Sequence, residues 1–296
     1  MKRRVLLFNP PSDFYAMPLG LLAVGSALPT DVAKEIEPLW AARVAVCSNA
    51  STYRMAADVP LIIPEVNADH LSLLDVQRSN RGWKGGIVTN ANCASIMAVM
   101  PLAPLHEAFG VRRLFVATMQ AVSGAGYPGV PSLDILGNVI PYIGGEEGKI
   151  ESEIQKMLGR RMETHIEHAP ITISAHANRV PVENGHTVCL SVDFEKHVDA
   201  GAALEVLRDW QGDECARRLP SSPERPLVVS DAPDRPQPRR DVDLGRGMTV
   251  TVGRVREDPL FDVKLVAMGH NTVRGAAGAS VLNAELLVST GQAGLA

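Results

Sequence analysis

Residues 85–100 read GGIVTNANCASIMAVM, and this stretch decides the fold class. Its opening, 85–89, is a short run of glycine and β-branched residues, which predicts a strand. Asn90-Ala91-Asn92 can cap a helix, and the apolar residues from Cys93 onward predict that helix. A strand, a cap and a helix in immediate succession indicate an α/β fold.

The elements around this stretch follow from apolar periodicity and from the positions of glycine and proline. In the first part of the chain, the sequence predicts strands at 4–8, 44–47 and 114–122 and a helix at 30–42. Pro101 and Pro104 interrupt the helix that begins near Cys93, and they predict a kink or an early end.

The second half has a different pattern, in which apolar and polar residues alternate. This alternation predicts strands, and we expect all of them to be antiparallel: 171–173, 186–194, 248–256 and 261–268. Residues 220–247 are rich in proline and arginine and predict an extended loop. The alanine-rich end, 274–288, predicts a helix that returns to the first part of the chain. The second half is therefore α+β.

Net charge, the length of the apolar runs and the spacing of cysteine and histidine argue against several classes of protein. The 296 residues include 29 Lys and Arg against 33 Asp and Glu, a formal net charge of -4, which argues against a nucleic-acid partner. The longest apolar run, 19–28, is too short for the ~18–20 residues that cross a membrane. The four cysteines lie far apart without C-x-x-C spacing, as is typical of the cytoplasm. The irregular spacing of the histidines predicts no metal site.

Cys93 is the strongest candidate for chemistry. A cysteine at a strand-to-helix turn lies near free backbone N–H groups and the positive end of the helix dipole. Both lower the thiol pKa and favour the nucleophilic thiolate, so we expect Cys93 to be the only strongly activated thiol. A buried structural thiol is the alternative, and it is our interpretation of Cys47, Cys189 and Cys215.

Arg179 and His186 form a second candidate group. The intervening turn contains Pro181 and Gly185, and it could bring a guanidinium and an imidazole into one pocket. Arg179 could then bind a carboxylate, and His186 could serve as acid/base to a thiol nucleophile. Isolated Arg and His residues are more often solvent-facing or structural, so both interpretations stay open at this point.

Several segments together resemble the aspartate-semialdehyde dehydrogenase family, in the branch typical of archaea and fungi. The resemblance runs nearly continuously from Ser26 to about Val288. It is carried by SALPTDVA at 26–33, SNASTYRM at 48–55, PEVNADH at 64–70, Asn92-Cys93, QAVSGAG at 120–126, Asn178-Arg179, Gly185-His186 and the run from His270 to Ala279.

The resemblance implies NADPH-dependent reductive dephosphorylation of a small acyl phosphate, L-aspartyl 4-phosphate, to L-aspartate 4-semialdehyde through a cysteine thioester. This reaction serves lysine, threonine and methionine biosynthesis. The roles implied by the resemblance are nucleophile for Cys93, acid/base for His186, substrate orientation for Gln120, carboxylate binding for Arg179, phosphate binding for Arg54 and Lys156, amino-group binding for Glu153, substrate contact for Asn92, and NADP contacts for Ser123, Gly124 and Asn271.

The N-terminal segment departs from the family pattern. The family opens with a G-x-T-G-x-V-G turn that seats the cofactor pyrophosphate, and this sequence has no such turn. Residues 4–28 stand in its place and resemble the opening strand and helix of the cobalamin-binding domain in radical enzymes. We therefore expect a fusion, truncation or assembly error near Ser26 and an incomplete NADP site.

The expected fold class is α/β, with an incomplete Rossmann-type nucleotide-binding domain at 1–91 plus 271–296. An α+β catalytic and dimerisation domain with a mainly antiparallel sheet is expected at 92–270. We expect a homodimer or homotetramer. Two alternatives remain at this point: a malonyl-CoA reductase-like acyl-CoA reductase, which would need no cations for a substrate phosphate, and a non-catalytic remnant unable to bind cofactor.

Overall fold

The computed structural model describes residues 7–8, 23–25 and 30–293. It confirms the α/β fold class, with a parallel sheet in the first part of the chain and a mixed sheet in the second. The strand expected at 4–8 is described only at Leu7–Phe8. Most of the segment 4–28, on which the expected fusion or truncation depends, lies outside the described residues.

The first sheet has four parallel strands in the order in which they occur along the chain. They are β1 (Leu7–Phe8), β2 (Ala23–Gly25), β3 (Ala45–Ser48) and β4 (Gly86–Thr89). The helices between them are α1 (Thr30–Ala41), α2 (Pro64–Asn67) and α3 (Leu73–Arg81), with a 3-10 turn at Ala68–Ser72. Parallel neighbours require such crossover connections, and α1 and β3 match the predicted helix and strand.

The helix that follows β4 is α4 (Cys93–Phe109), and it begins at the predicted residue. Of the two alternatives predicted for Pro101 and Pro104, a kink or an early end, the early end is wrong, because α4 continues through both prolines to Phe109. Each proline removes one backbone hydrogen bond. The helix is apolar on all sides and lies in the main core, against the second sheet and two further helices, so tertiary packing outweighs this loss.

The second sheet has six strands in the order β10-β11-β12-β9-β5-β8. They are β5 (Val111–Gln120), β8 (Thr172–Arg179), β9 (His186–Phe194), β10 (Leu227–Ser230), β11 (Val250–Glu257) and β12 (Val263–Gly269), and β6 (Arg160–Arg161) pairs with β7 (Ile166–Glu167) in a separate hairpin. The three central pairs are antiparallel. The outer pairs, β5 with β8 and β10 with β11, are parallel.

Two predictions for the second half are therefore wrong. The strand expected from 171 is parallel to β5, because the connection between them contains α6 (Glu146–Met157) and returns the chain in the same direction. The short helix α5 (Ser132–Ile135) lies in the same connection. Residues 220–247 are not simply an extended loop, because buried Leu227 begins β10 and a short helix forms at 238–241.

The remaining helices are α7 (Ala200–Asp209), α8 (Glu214–Arg217), α9 (Pro238–Asp241) and α10 (Gly278–Ser289), and a π-turn at Val273–Ala277 precedes α10. As predicted, α10 returns to the first sheet, where Leu282, Leu286 and Leu287 join a core cluster with Cys47 and Val88. None of the described helices combines the length and apolar character that crossing a bilayer requires. The end of β4, the start of α4 and the π-turn meet at one place, and the site described next lies there.

Candidate active site

Cys93 is the first residue of α4, and its position is set by the residue before it. The Asn92 side chain accepts hydrogen bonds through Oδ1 from the N–H groups of Ala94, at 2.9 Å, and Ser95, at 3.1 Å. This confirms the predicted cap. The π-turn passes directly over Cys93, since a Cβ built on Gly275 would lie 2.6 Å from the Cys93 Cβ. Only glycine leaves room for this approach.

The expectation that the Cys93 thiol has a lowered pKa is wrong. Burial raises its pKa to about 12, and the Glu146 carboxylate adds to the increase. The Arg54 and Arg179 guanidinium groups and the N–H of Ala94 act in the opposite direction, but they do not outweigh burial. Cys93 is partly exposed, and its raised pKa favours the protonated thiol at neutral pH.

His186 and Arg179 lie side by side, as the sequence suggested, and both are held by the peptide groups of Ala121. The Ala121 N–H donates to His186 Nδ1 at 3.1 Å, and Arg179 Nη1 donates to the Ala121 carbonyl oxygen at 2.7 Å. A Cβ built on Gly124 would lie 2.7 Å from His186 Cε1 and 2.9 Å from Arg179 Nη1. Glycine at 124 therefore lets the backbone approach both groups more closely than a residue with a Cβ would allow.

The tautomer of His186 follows from this hydrogen bond. Because Nδ1 accepts from a backbone N–H, the neutral ring carries its hydrogen on Nε2. This buried Nε2 has no hydrogen-bond partner among the described residues. Burial, followed by the positive charges of Arg179 and His270, lowers the pKa of His186 to about 3. His186 is thus a neutral imidazole whose Nε2–H has no acceptor in the part of the chain that the structure describes.

Arg54, Glu153 and Asn92 form a buried cluster, and Asn92 precedes Cys93 directly in the chain. Arg54 Nη1 donates to Glu153 Oε1 at 2.9 Å, and the backbone N–H of Asn92 donates to Glu153 Oε2 at 2.5 Å. Burial raises the pKa of Glu153, although Arg54 partly opposes the effect. Arg54 Nε is buried without a partner in the described part of the chain, so this guanidinium retains a donor.

Lys156 differs from the other predicted substrate residues. Its ammonium group donates to three backbone carbonyl oxygens, those of Arg54 at 2.7 Å, Ala56 at 2.8 Å and Val59 at 2.8 Å. An ammonium group has three donors, so none is left for a phosphate. Burial lowers the pKa of Lys156 to about 8. The geometry therefore contradicts the expected phosphate contact and ties Lys156 to the loop that carries Arg54.

The three predicted cofactor residues lie together. Asn271 Nδ2 donates to Ser123 Oγ at 2.8 Å, and Asn271 Oδ1 accepts from the Gly185 N–H at 2.8 Å. Gly124 follows Ser123 and faces His186, as described above. Ser123 and Asn271 thus form a hydrogen-bonded polar pair next to Gly124.

Gln120 is held by Glu146, a residue that sequence reasoning missed. Gln120 Nε2 donates to Glu146 Oε1 at 3.1 Å and to Thr118 Oγ1 at 3.3 Å. Glu146 is buried and is the first residue of α6, directly after Gly145, whose φ of 68° is left-handed. The run GGEEGK at 144–149 is typical of a helix start with an acidic first turn. Sequence alone does not reveal that one of these two carboxylates is buried, because the burial results from tertiary packing.

The described residues contain no group of three or more His, Cys, Asp or Glu side chains that could hold a metal ion. The chemistry that the arrangement supports is nucleophilic: a cysteine at a helix N-terminus, a neutral imidazole donor and two guanidinium groups whose positive charges act on the thiol. Such a set suits an acyl substrate that carries negative charge.

Comparison with known proteins identifies the family. The family model "Semialdehyde dehydrogenase, dimerisation domain" matches residues 102–274, and "Semialdehyde dehydrogenase, NAD binding domain" matches residues 20–74. An aspartate-semialdehyde dehydrogenase of Archaeoglobus fulgidus is 55% identical over 269 residues, which are 90% of this chain and 76% of that protein. One of Methanothermobacter thermautotrophicus is 50% identical over 88% of this chain and 76% of its own length.

Solved structures agree. Aspartate semialdehyde dehydrogenase with NADP from Candida albicans superposes with a TM-score of 0.82 and 40% identity, and the match covers 92% of this chain and 78% of that one. Aspartate semialdehyde dehydrogenase II complexed with ASA from Vibrio cholerae gives a TM-score of 0.73 and 28% identity, over 90% of this chain and 79% of that one. With more than half of its length matched by the family model and such close relatives, this chain belongs to the aspartate-semialdehyde dehydrogenase family.

Proposed function

We propose that this chain catalyses the NADPH-dependent reductive dephosphorylation of L-aspartyl 4-phosphate to L-aspartate 4-semialdehyde, in lysine, threonine and methionine biosynthesis. The observation that carries the proposal is the placement of Cys93 at the start of α4, within the electrostatic reach of Arg54 and Arg179. Arg179 in turn lies beside the neutral imidazole of His186. These groups meet the needs of an acyl phosphate that carries a free carboxylate.

In the proposed acylation step, Cys93 Sγ attacks the acyl carbon, the C–S bond forms, and the C–O bond to phosphate breaks. The Nε2–H group of His186 donates a hydrogen bond to the acyl oxygen as negative charge develops there, and the proton stays on the ring. Since Nε2 already carries a hydrogen, we assign the thiol proton to the departing phosphate. In the acylation step we therefore propose that His186 acts as a hydrogen-bond donor, and the acid/base role implied by the resemblance stays a prediction.

Arg179 is proposed to bind the substrate α-carboxylate. Within the described residues its side chain donates only through Nη1, to the Ala121 carbonyl oxygen, so Nε and Nη2 remain for a paired contact. Arg54 is proposed to attract the phosphate, and Glu153 to accept from the substrate amino group, with Asn92 and Gln120 beside them. For Lys156 we propose a structural role, because its three donors hold the loop 54–59.

The residues proposed for the cofactor fit its nicotinamide end. Gly124 is exposed beside the hydrogen-bonded pair of Ser123 and Asn271, and it packs against His186 where a Cβ would clash. NADPH, when bound, supplies the hydride that reduces the thioester. We propose that residues 1–91 and 271–296 form the nucleotide-binding domain and that residues 92–270 form the catalytic domain. Ser123 and Gly124 then belong to the catalytic domain and Asn271 to the nucleotide-binding domain, so the three proposed contacts lie at the domain boundary.

The reaction can be tested in reverse. We expect the purified protein to form NADPH from NADP and aspartate semialdehyde only when inorganic phosphate is present. Cys93→Ser should abolish this activity, whereas Cys189→Ser, which changes a thiol within β9, should retain it. NADPH formation that requires coenzyme A in place of phosphate would support the acyl-CoA reductase alternative. A folded protein without either activity would support the non-catalytic alternative.

We also propose that the chain forms a homodimer or homotetramer in the cytoplasm. A segment that we call the apolar arm, residues 127–142, exposes five large apolar side chains: Tyr127, Leu133, Leu136, Val139 and Tyr142. Exposed apolar groups at this density mark interaction surfaces, and the arm lies inside the matched dimerisation domain. The four cysteines are free thiols, which suits a reducing compartment.

Light scattering on the purified protein tests the arm. Leu133→Asp should lower the molecular mass in solution. Leu260→Asp is the matched control, because Leu260 is also highly exposed but lies outside the arm. An unchanged mass for Leu133→Asp would place the subunit interface elsewhere.

A further inference from the structure

We propose that Glu146 is a positioning residue of the reaction, which holds the side-chain amides of Asn92 and Gln120 in the orientation that the acylation of Cys93 requires. Glu146 is assigned no role by the family resemblance described above. The inference rests on the proposed function, since it concerns the same thiol and the same substrate.

The first support is the geometry around one carboxylate oxygen. Glu146 Oε1 accepts from Asn92 Nδ2 at 2.6 Å and from Gln120 Nε2 at 3.1 Å. The other oxygen, Oε2, lies 3.7 Å from Lys149 Nζ. The residue is only 6% exposed, so these hydrogen bonds form where water competes little. One buried oxygen therefore joins the start of α4 to the end of β5.

The second support is the direction that these bonds impose. A carboxylate only accepts hydrogen bonds, so both amides must turn their NH₂ groups toward Glu146. For Asn92 this directs Oδ1 to the N–H groups of Ala94 and Ser95, which is the cap that presents Cys93. For Gln120 it directs the carbonyl oxygen away from Glu146. Without the carboxylate, either amide could turn over and lose this orientation.

The third support is electrostatic. The negative charge of Glu146 raises the pKa of the Cys93 thiol, opposing Arg54 and Arg179. Glu146 thus makes the thiol harder to ionise while it holds the groups around it. A residue whose only benefit was activation of the nucleophile would have the opposite charge, so positioning is the role that fits.

Two variants separate positioning from simple structural support. In Glu146→Gln the amide oxygen can still accept both hydrogen bonds, but the charge is lost; in Glu146→Ala both bonds are lost. We expect Glu146→Ala to lower kcat by about tenfold or more with a smaller change in KM, since two buried bonds to a charged group disappear. Glu146→Gln should recover most of kcat.

Alkylation of Cys93 by iodoacetamide gives a readout that a merely structural role would not move. Both variants remove a negative charge near the thiol, so at pH 8 Cys93 should react faster than in the wild type, with its reactivity profile shifted to lower pH. Glu147→Gln is the control, because Glu147 is the exposed neighbour on the same helix, and it should leave both readouts unchanged. Thermal melting of each variant checks that it folds.

The outcomes distinguish this inference from the proposed function. An inactive wild-type protein would reject the function, while the alkylation rates would still measure the effect of Glu146 on Cys93. An active wild type with wild-type kcat in Glu146→Ala would overturn the positioning role. Unchanged alkylation in both variants would also overturn it, because the thiol and Glu146 would then not share a site.

Discussion

Gly275→Ala is the sharpest test of the contact between the π-turn and the nucleophile. Gly275 does not have a left-handed φ, so its backbone accepts alanine, and the effect of the change is steric. The added methyl carbon would lie 2.6 Å from the Cys93 Cβ, whereas ordinary contacts begin at 3.4 Å. One of the two segments must therefore move by roughly 1 Å, and overpacking of this kind typically costs about 1–3 kcal/mol of stability.

If the start of α4 is the segment that moves, the reacting sulfur of Cys93 moves with it. A shift of about 1 Å in a reacting group can reduce its rate by roughly 100-fold. We therefore expect a large loss of single-turnover phosphate release from aspartyl phosphate, together with a lower free energy of unfolding in urea. Gly148→Ala is the matched control, since a Cβ there meets nothing within 4 Å and alanine should favour α6. A Gly275→Ala protein that releases phosphate at the wild-type rate with unchanged stability would refute the close contact.

Three further predictions concern single groups. Arg179→Lys should lower kcat/KM for aspartyl phosphate more than about tenfold, because one ammonium cannot reproduce the planar fork that binds a carboxylate; near wild-type kcat/KM would move the carboxylate site elsewhere. Lys156→Met should lower the free energy of unfolding by about 3 kcal/mol or more, measured in urea, because three carbonyl oxygens lose their donor. His186 accepts a proton below about pH 6.5 in the unfolded chain but only below about pH 3 in the folded protein. The free energy of unfolding should therefore fall as the pH drops through this window, by up to about 1.4 kcal/mol per pH unit. Urea unfolding of His186→Asn should show a weaker dependence, and equal slopes would contradict burial of a neutral ring.

The local part of the fold was readable from the sequence because its signals lie within a few residues. The β-branched run of β4, the capping Asn92 and the apolar start of α4 are all adjacent in the chain. Alternation also located β8, but it reports only which face of a strand is buried. The direction of β8 depends on the crossover through α6, which alternation does not encode. The continuation of α4 past Pro101 depends likewise on tertiary packing.

The candidate site was partly predictable for the same reason. The turn before His186 suggested that Arg179 and the imidazole share a pocket, and they do lie side by side. The thiol pKa was predicted with the wrong sign, because the helix dipole is visible in a sequence and burial of the sulfur is not. The contacts of Glu146 were not predicted, because its partners, Asn92 and Gln120, are distant from it in the chain.

The π-turn and α10 also bear on when the site can form during synthesis. The Asn90 side chain, three residues before Cys93, donates to the Ala276 carbonyl oxygen across a separation of 186 residues, and Gly275 covers the cysteine itself. A nascent chain emerging from the ribosome therefore exposes Cys93 long before its cover is translated. The contacts of Gly275 with Cys93 and of Ala276 with Asn90 can form only after residues near 275 have left the ribosome, so completion of the catalytic centre is a late event in the synthesis of this chain.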